Sequence, residues 1–444
     1  MHPTTADPTD PTRSAGPDAR PVSTVVVGAG LGGLLAAVTA AEAAPRGRVV
    51  VVDPHPPGGR ARVDDRAGFT FNRGPRALYV RGSADRALRS VGVDTGHGGP
   101  ASLRNAIAVH RGQAHRFPGQ PLDAARTTLF TAREKAQMAR ALAALWRAGA
   151  DETEGRSLAD WLDRRSVDGV VRDFAEALVR VATYADAPET FAAGPALANA
   201  RAGVSPGVRY LDGGWQSLVD QLLAIAARRG VEVVRASVRE VRPSGGRVAV
   251  VTDGPTWDAA GVVIAAGGPD AAAALLPARP ASWGELAPPV TAACLELGIR
   301  GVPVHPFALG IDEPVYGSTH SPPADLAPEG HAVVHLMRYQ PVGDEVPAAE
   351  QRARLERLAR QMGIAPDAVV EERFLARMVV TGTLPHPATG GLAGRPAVAV
   401  PEHPGVFLAG DWVGPTGLLL DAVAASGVEA GRLAAVRSAT MVPA

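Results

Sequence analysis

Apolar runs and glycine-rich turns alternate near the start of the chain. Residues 22–27 form a β-branched run typical of a buried strand, and GAGLGG follows it directly. The next stretch, LLAAVTAAEAA, has helix-forming residues and ends at Pro45 and Gly47, and residues 49–53 form a second apolar strand. Strand, glycine turn, helix and strand in about 30 residues predict a βαβ unit.

The pattern changes to helix in the next third of the chain. Residues 124–149 are predicted to be helical, with a capping box from Thr131 to Glu134, and Ser157 opens another helix. Further helical segments extend to about residue 200. Apolar side chains recur there at helical spacing: Met138, Leu142, Leu145 and Trp146. We expect an all-helical insertion between two parts of a sheet.

Strand patterns return after Gly230. VEVVRASVREV, RVAVVT and GVVIAAG are separated by turn residues and predict consecutive strands. Residues 290–385 indicate short strands with one charged helix near residues 349–361, and PGVFLAGD is a strand before a long last helix. The cluster GHGG at residues 96–99 follows a polar segment, so it predicts a loop and not a second dinucleotide turn.

Composition narrows the class of protein. The 444 residues are 46% hydrophobic, and 45 basic residues balance 45 acidic ones, which excludes a disordered chain, a coiled coil and a polybasic nucleic-acid binder. Lys135 is the only lysine in the sequence, so a mechanism that needs a lysine has a single candidate. The sole cysteine, Cys294, excludes a disulfide framework.

The ends and apolar runs of the chain bear on its location. Residues 1–20 are polar and proline-rich without an apolar core, which predicts a disordered tail and not a signal peptide. No run reaches the roughly 20 uninterrupted apolar residues of a spanning helix. We expect a cytoplasmic protein with no nucleic-acid partner and, at most, peripheral membrane contact through the helical insertion.

The glycine turn has the spacing of a dinucleotide-binding motif, G-x-G-x-x-G. Gly28 permits the tight turn, Gly30 lets a pyrophosphate approach the backbone, and Gly33 lets helix and strand pack closely. The helix N-terminus directs free N–H groups and a positive dipole at phosphates. Asp53 ends the second strand, where its carboxylate can accept ribose hydroxyls.

Several further motifs follow in order along the chain: Gly58-Gly59-Arg60, Gly74-Pro75, Gly213-Gly214-Trp215, Ser237-Val238, and Gly410-Asp411 with the last helix. Together with the glycine turn, they resemble the flavin oxidoreductases of the amine oxidase and phytoene desaturase superfamily. The resemblance covers both ends and the middle of the chain. The helical insertion and residues 290–385 diverge from it.

The resemblance implies an α/β fold with a Rossmann-type FAD-binding domain, similar to glutathione reductase and the amine oxidases, and a discontinuous substrate domain of mixed sheet plus helical insertion. It implies FAD bound non-covalently, because Cys294 lies outside the C-terminal motif where some members attach it. It places the FAD-binding domain at residues 21–105, 206–285 and 393–444, and the substrate domain at residues 106–205 and 286–392.

The resemblance also implies which residues contact FAD. Val238 would lie against the adenine, Arg60 by the pyrophosphate or the flavin, and Asp411 would accept a ribityl hydroxyl. Gly417, Leu418 and Leu419 would open the last helix beneath one edge of the flavin. The implied cofactor residues are Gly28, Gly30, Leu31, Gly32, Gly33, Asp53, Gly58, Gly59, Arg60, Gly74, Pro75, Val238, Gly410, Asp411, Gly417, Leu418 and Leu419.

Arg76 departs from the family pattern, which often has a small group or histidine after Gly-Pro. Facing the flavin, Arg76 would be a fixed cation able to bind a carboxylate or stabilise an enolate; turned to solvent or to the pyrophosphate, it would not. His320 and Tyr316 are candidates for proton transfer. Tyr79, Trp215 and Trp412 are candidate substrate contacts. His331 and His335 lie in a strand pattern, so we expect no metal site.

Two branches of the superfamily remain open. Amine oxidases typically use a lysine and aromatic rings, and here Lys135 lies in the helical insertion while aromatics are 5% of the chain. The desaturase branch, in which FAD takes hydride from a C–C position of an apolar or biosynthetic intermediate, agrees better with the sequence. Electrons would leave to oxygen, a quinone or another carrier. An amine or amino-acid oxidase, a redox-neutral isomerase or saturase, and a binding protein without flavin are the alternatives.

Overall fold

The computed structural model describes residues 19–441, so most of the predicted disordered tail lies outside the described residues. Arg20, assigned to that tail, already belongs to the first strand, where its position is fixed by pairing with Trp257. The strands are β1 (Arg20–Val27), β2 (Val49–Val52), β3 (Val63–Arg66), β4 (Phe69–Asn72), β5 (Leu78–Tyr79), β6 (Gly99–Pro100), β7 (Ile107–His110), β8 (Gln113–Arg116), β9 (Val208–Tyr210), β10 (Glu232–Val234), β11 (Val238–Ser244), β12 (Arg247–Thr252), β13 (Trp257–Ile264), β14 (Val290–Arg300), β15 (Phe307–Gly310), β16 (Val315–Thr319), β17 (His331–Gln340), β18 (Val369–Thr381) and β19 (Val406–Leu408). The α-helices are α1 (Leu31–Ala43), α2 (Ser83–Ser90), α3 (Pro121–Arg126), α4 (Ala132–Arg147), α5 (Ala150–Thr153), α6 (Leu158–Asp163), α7 (Gly169–Thr183), α8 (Ala193–Val204), α9 (Gln216–Arg228), α10 (Pro269–Ala273), α11 (Ala348–Gln361) and α12 (Leu419–Met441).

The first sheet contains the predicted βαβ unit. Its order is β10-β2-β1-β13-β12-β11, and β19 pairs with the second half of β13. The strands β10, β2, β1, β13 and β19 are parallel, whereas β12 and β11 form an antiparallel extension. The strands come from three separated stretches of the chain, and β2 is buried along its whole length, as parallel strands covered on both faces usually are.

Close helix contacts hold this sheet's covering layer together. Helix α1 is buried from Leu31 to Ala41 because it packs against both the sheet and α12. A Cβ on Gly33 would lie 1.9 Å from the Gly28 carbonyl oxygen, and one on Gly427 would lie 2.7 Å from the Gly32 oxygen. These two glycines therefore set the distance from α1 to β1 and from α1 to α12.

The second sheet has the order β18-β14-β17-β16-β15-β7-β8 and is antiparallel except between β15 and β7. Helix α11 packs on one face, and the helical segments cover part of the other. The prediction of short strands between residues 290 and 385 is confirmed for β15 and β16, with 4 and 5 residues, and wrong for β14, β17 and β18, which have 11, 10 and 13. The predicted charged helix is α11. Polar residues interrupt their apolar pattern because several of them form buried ion pairs.

The helical insertion is present between the strands of the second sheet, as the sequence predicts. The predicted helix at residues 124–149 is divided into α3 and α4, because Thr131 caps a new helix with the capping box that the sequence indicates. A second capping box at Ser157 opens α6. The domain boundaries stay a prediction. Within residues 19–441, none of the helices combines the length and apolar character needed to cross a bilayer.

Candidate functional site

A cavity of about 610 Å³ lies where the carboxyl ends of the first sheet's parallel strands meet the second sheet. Ligands of open α/β sheets bind in this kind of position. Thirteen of the predicted cofactor residues line it: Gly28, Gly30, Leu31, Gly32, Asp53, Gly58, Gly59, Arg60, Pro75, Val238, Gly410, Asp411 and Leu419. Gly33, Gly74, Gly417 and Leu418 do not line it; Gly33 and Gly74 are buried next to lining residues.

The geometry of the glycine turn shows where a dinucleotide would have room against the backbone. A Cβ on Gly30 would meet no atom within 4 Å, although Gly30 lines the cavity at the N-terminus of α1. Gly28 has φ +104°, and a Cβ there would lie 2.9 Å from the Ala265 oxygen. The turn is therefore crowded on its protein side and open on its cavity side, which agrees with the backbone approach that a pyrophosphate needs.

Asp53 lies beside that turn at the end of β2. Its carboxylate accepts hydrogen bonds from the Ala29 amide at 2.7 Å and the His55 amide at 2.8 Å. The carboxylate also lines the cavity. These bonds fix the acid between the glycine turn and the segment after β2, and ribose hydroxyls are the ligand groups that such a carboxylate can accept.

Arg60 and Asp411 form an ion pair at the cavity wall. The Nη1 atom of Arg60 lies 2.7 Å from Oδ2 of Asp411, and the Gly382 amide donates to Oδ1 at 3.0 Å. Asp411 is 3% exposed, so its charge needs these partners. The carboxylate predicted to accept a ribityl hydroxyl therefore also joins the loop after β2, the end of β18 and the turn before α12.

Arg395, which no sequence motif indicates, organises the turn before α12. Its buried guanidinium donates to the carbonyl oxygens of Asp411 and Gly417 at 2.9 Å and 2.8 Å. Burial lowers the pKa of Arg395 to about 10, and the charge of Asp411 acts in the opposite direction. An arginine in an arginine-rich chain gives little indication of such a role, which explains why it was missed.

Arg76 faces the cavity and is half-buried. Its Nη2 donates to the Arg73 and Arg60 carbonyl oxygens at 2.9 Å and 3.0 Å, and its guanidinium lies 5.3 Å from the Trp215 ring centroid. Its buried Nε has no hydrogen-bond partner. Burial and the nearby charge of Arg60 lower its pKa to about 10, which still leaves a cation at neutral pH. Arg76 therefore lies at the cavity and not in solvent, and its orientation towards the flavin or towards the pyrophosphate stays a prediction.

The wall around Arg76 is aromatic and thioether-rich. Tyr79 and Trp215 line it as predicted, and Tyr184, Met337 and Met378 line it although sequence analysis did not identify them. Tyr184 has φ 58° at the end of α7, and its hydroxyl accepts a hydrogen bond from Tyr316 at 3.3 Å. Burial raises the pKa of Tyr184, so its hydroxyl keeps a proton that it can donate into the cavity.

Three residues predicted for catalysis or substrate contact do not line the cavity. Trp412 is 1% exposed and packs edge-on against Trp283 in the core around the first sheet, so it does not line the cavity. Tyr316 lies in a layer behind Tyr184. The prediction that Trp412 contacts the substrate and the prediction that Tyr316 acts directly in proton transfer are therefore corrected.

His320 is the third of these residues. The sequence suggested a polar turn, but His320 is 1% exposed, stacks on Tyr210 with ring centroids 3.8 Å apart, and lies beside His335. Its Nε2 is 3.0 Å from the Ser318 hydroxyl. Burial, with a smaller contribution from His335, holds its pKa well below the usual value. His320 does not line the cavity, so the role of substrate-side acid or base is withdrawn.

Lys135 does not line the cavity either. Its Nζ donates a hydrogen bond to the Ala125 carbonyl oxygen on the helical insertion. The potential metal ligands Cys294, Glu296 and His335 have donor atoms within 4.8 Å of one another. The Glu296 carboxylate already binds Arg373 and the Gly74 amide. We therefore interpret this group as part of an ion-pair network.

Comparisons with known proteins show the family and the fold of this chain. A family model described as flavin containing amine oxidoreductase matches residues 31–437. No curated protein matches the sequence.

Three solved structures show the same fold at low sequence identity. An oxidoreductase from Methanosarcina mazei has a TM-score of 0.70 and 20% identity, covering 91% of this chain and 98% of its own. A provisional protoporphyrinogen oxidase from Exiguobacterium sp. 255-15 has a TM-score of 0.71 and 19% identity, covering 94% and 99%. Cyclohexylamine oxidase from Brevibacterium oxydans IH-35A has a TM-score of 0.67 and 17% identity, covering 94% and 99%.

Proposed function

The chain belongs to the flavin containing amine oxidoreductase family, and from this premise we propose that it is an FAD-dependent dehydrogenase of the desaturase type. Its substrate is an apolar biosynthetic intermediate that carries an acidic group, and the position oxidised is a C–C bond. FAD binds non-covalently, and oxygen, a quinone or another carrier removes the electrons. The enzyme is a flavin oxidoreductase whichever substrate it takes.

The cavity-lining residues support FAD in an extended orientation. Gly30 and the start of α1 would bind the pyrophosphate, Asp53 and Val238 the adenosine half, and Asp411 with Leu419 the ribityl and flavin half. When bound, FAD supplies a hydride acceptor. The chain's own groups hold it there by hydrogen bonds and exclude water with apolar side chains from α1 and α12.

One observation carries the choice of substrate class: the Arg76 cation lines the cavity beside the Trp215 ring. Within residues 19–441, no carboxylate is ion-paired with it. A half-buried cation without a counter-ion favours an anionic ligand and repels a protonated amine. Met337, Met378 and Trp215 supply apolar contact for the rest of the substrate.

Proton handling in this region needs few protein groups. Tyr184 keeps its proton and can donate a hydrogen bond, and Tyr316 holds the Tyr184 hydroxyl in place. Arg76 would bind and orient the acidic group of the substrate, so that its apolar part lies along the methionine side chains. Orientation of this kind is a main contribution of a protein to hydride transfer.

The amine oxidase alternative is represented among the structural neighbours, which are named for amines as well as for protoporphyrinogen. These likenesses show the fold and do not separate the substrates. The presence of Arg76 and the position of Lys135 outside the cavity support the dehydrogenase proposal over the amine oxidase.

A panel of substrates tests the proposal. Purified enzyme is supplied with an apolar carboxylic acid, its methyl ester and the corresponding amine, and products are identified by mass spectrometry. We expect loss of two hydrogens from the acid, weaker turnover of the ester and none of the amine. Deamination of the amine with peroxide release would overturn the proposal in favour of the oxidase, and an unchanged mass with a moved double bond would indicate an isomerase.

A further inference from the structure

A buried ion network lies behind the segment from Gly74 to Arg76, and the proposed chemistry does not use it. Its centre is Glu296 on β14, whose side chain is 0% exposed. One carboxylate oxygen accepts a hydrogen bond from the Gly74 amide at 2.9 Å and lies 3.2 Å from Nδ1 of His335. The other oxygen contacts the Arg373 guanidinium.

Arg373 extends the network to β3 and β4. Besides Glu296, it contacts Asp64 on β3, and its Nη2 donates to the Asn72 carbonyl oxygen at 2.9 Å. The side-chain oxygen of Asn72 accepts a hydrogen bond from the Trp215 amide at 3.0 Å. Both cavity residues that face each other across 5.3 Å, Arg76 and Trp215, are therefore connected to Glu296 through short backbone links.

A fully buried carboxylate in this position needs an explanation beyond stability, because replacing a buried ion pair with apolar residues is often neutral or stabilising. The contacts supply one: Gly74 has φ +84°, and a Cβ there would lie 2.4 Å from the Met378 methyl group. The segment is thus clamped between Met378 on one side and the Glu296 carboxylate on the other, two residues before Arg76.

We propose that Glu296 is a positioning residue, which fixes Gly74 by a hydrogen bond and stabilises Arg76 as the cavity cation that binds the substrate's acidic group. The inference rests on the proposed function for the role of Arg76. The charge of Glu296 and the hydrogen bond to Gly74 make separable contributions, to the charge state and to the position of Arg76.

The electrostatic part follows from the groups that face Arg76. Burial and Arg60 lower its pKa to about 10, whereas Tyr184 at the end of α7 and Glu296 and Cys294 on β14 raise it. Without the charge of Glu296, one of the groups that raise the pKa is lost. Burial and Arg60 then lower the pKa of Arg76 further. Anion binding then ends at a lower pH than in the wild type.

Benzoate binding followed by calorimetry between pH 7 and about pH 11 measures this directly without a catalytic assay. The wild type is expected to bind benzoate and to lose affinity near the pKa of Arg76, about 10. Glu296→Gln keeps an acceptor for Gly74 but removes the charge. Its alkaline limb should move to lower pH, because the Glu296 charge no longer raises the pKa of Arg76.

Glu296→Asp tests position instead of charge. The shorter carboxylate withdraws the acceptor from Gly74 but keeps the charge, so benzoate affinity should fall about tenfold while the alkaline limb stays in place. Asp344→Asn is the matched control, because the Arg338–Asp344 pair is also buried, at 4% and 7% exposure, and neither residue lines the cavity. Arg338 lies on β17 of the same sheet, and Asp344 lies in the loop that follows it. It should change neither quantity.

The outcomes separate the two hypotheses. If the wild type binds benzoate but both Glu296 variants match Asp344→Asn, the positioning role is wrong and the proposed function stands. If the wild type shows no benzoate affinity at any pH, the role of Arg76 in the proposed function fails. Should Glu296→Gln not fold, the affinity and alkaline limb of Glu296→Asp still decide the positioning role.

Discussion

Arg60 and Asp411, which come from the first and last parts of the chain, form an ion pair 2.7 Å long at the wall of the cavity. Arg60 follows the glycine pair after β2, and Asp411 lies three residues beyond the end of the short strand β19. The pair therefore connects two sequence motifs to which the family resemblance gives separate roles: Arg60 by the pyrophosphate or the flavin, and Asp411 by the ribityl chain. Removing either partner leaves the other with an uncompensated charge at the cofactor site.

Asp411→Ala is expected to weaken FAD binding by about 10- to 100-fold, because the loss of a charged hydrogen bond costs about 1.5–3 kcal/mol. Arg60 and the Gly382 amide lose their acceptor in the same variant. Titration of the protein with FAD, followed by quenching of flavin fluorescence, measures the change. The exposed Glu189→Ala variant serves as control, and an Asp411→Ala protein that purifies with full flavin content would remove Asp411 from the site.

Alanine substitutions at Gly30 and Gly33 should have opposite effects on FAD affinity and on protein stability. Gly30→Ala adds a methyl group where no atom lies within 4 Å, so the protein should keep its melting temperature and lose FAD affinity. Gly33→Ala places a Cβ 1.9 Å from a carbonyl oxygen, so it should lower stability by about 1–3 kcal/mol or more. Thermal unfolding and FAD titration of both variants check this, and equal effects of the two would contradict the assignment of Gly30 to the cofactor side.

Arg76→Met is expected to raise the KM for an acidic substrate about 10- to 100-fold with little change in flavin content, since it removes charged hydrogen bonds to the substrate and not to FAD. Arg76→Lys should recover part of the loss, because it restores the charge without the planar fork. Arg140→Met, an exposed arginine on α4, is the control. An unchanged KM for the acid in Arg76→Met would show that Arg76 does not bind substrate.

Acid should destabilise the protein through His320. The pKa of His320 in the folded protein lies well below 6.5 because the ring is buried. The unfolded chain takes up the proton first, so stability is complete above about pH 6.5 and falls as the pH decreases below it, by up to about 1.4 kcal/mol per pH unit. Denaturant unfolding at several pH values should show a shallower fall for His320→Gln. His55→Gln, at an exposed histidine, should follow the wild type.

Much of the fold was predictable because its strongest local patterns agree with the final structure. The run before the glycine turn, the turn itself and Asp53 predict β1, α1 and β2, and the capping box at Thr131 predicts the start of α4. These patterns are local: the residues that define them lie within one turn or one strand of each other.

The residues whose positions were predicted wrongly are fixed by contacts between segments that are distant in the sequence. His320 has the sequence surroundings of a surface turn, but Tyr210 covers it with a ring from another part of the chain. Trp412 follows the cofactor motif directly, yet Trp283 fixes it in the core. Glu296 and Arg373 were not identified because a charged residue within a strand pattern predicts an exposed face, whereas here the two charges neutralise each other across neighbouring strands.

The most direct test of the account is the visible absorbance spectrum of the purified protein, recorded again after anaerobic addition of an apolar carboxylic acid or of an amine. The account predicts a flavin spectrum that bleaches with the acid and not with the amine. Bleaching with the amine alone would contradict the proposed substrate class. A colourless protein that does not take up FAD would contradict the assignment of the cavity itself.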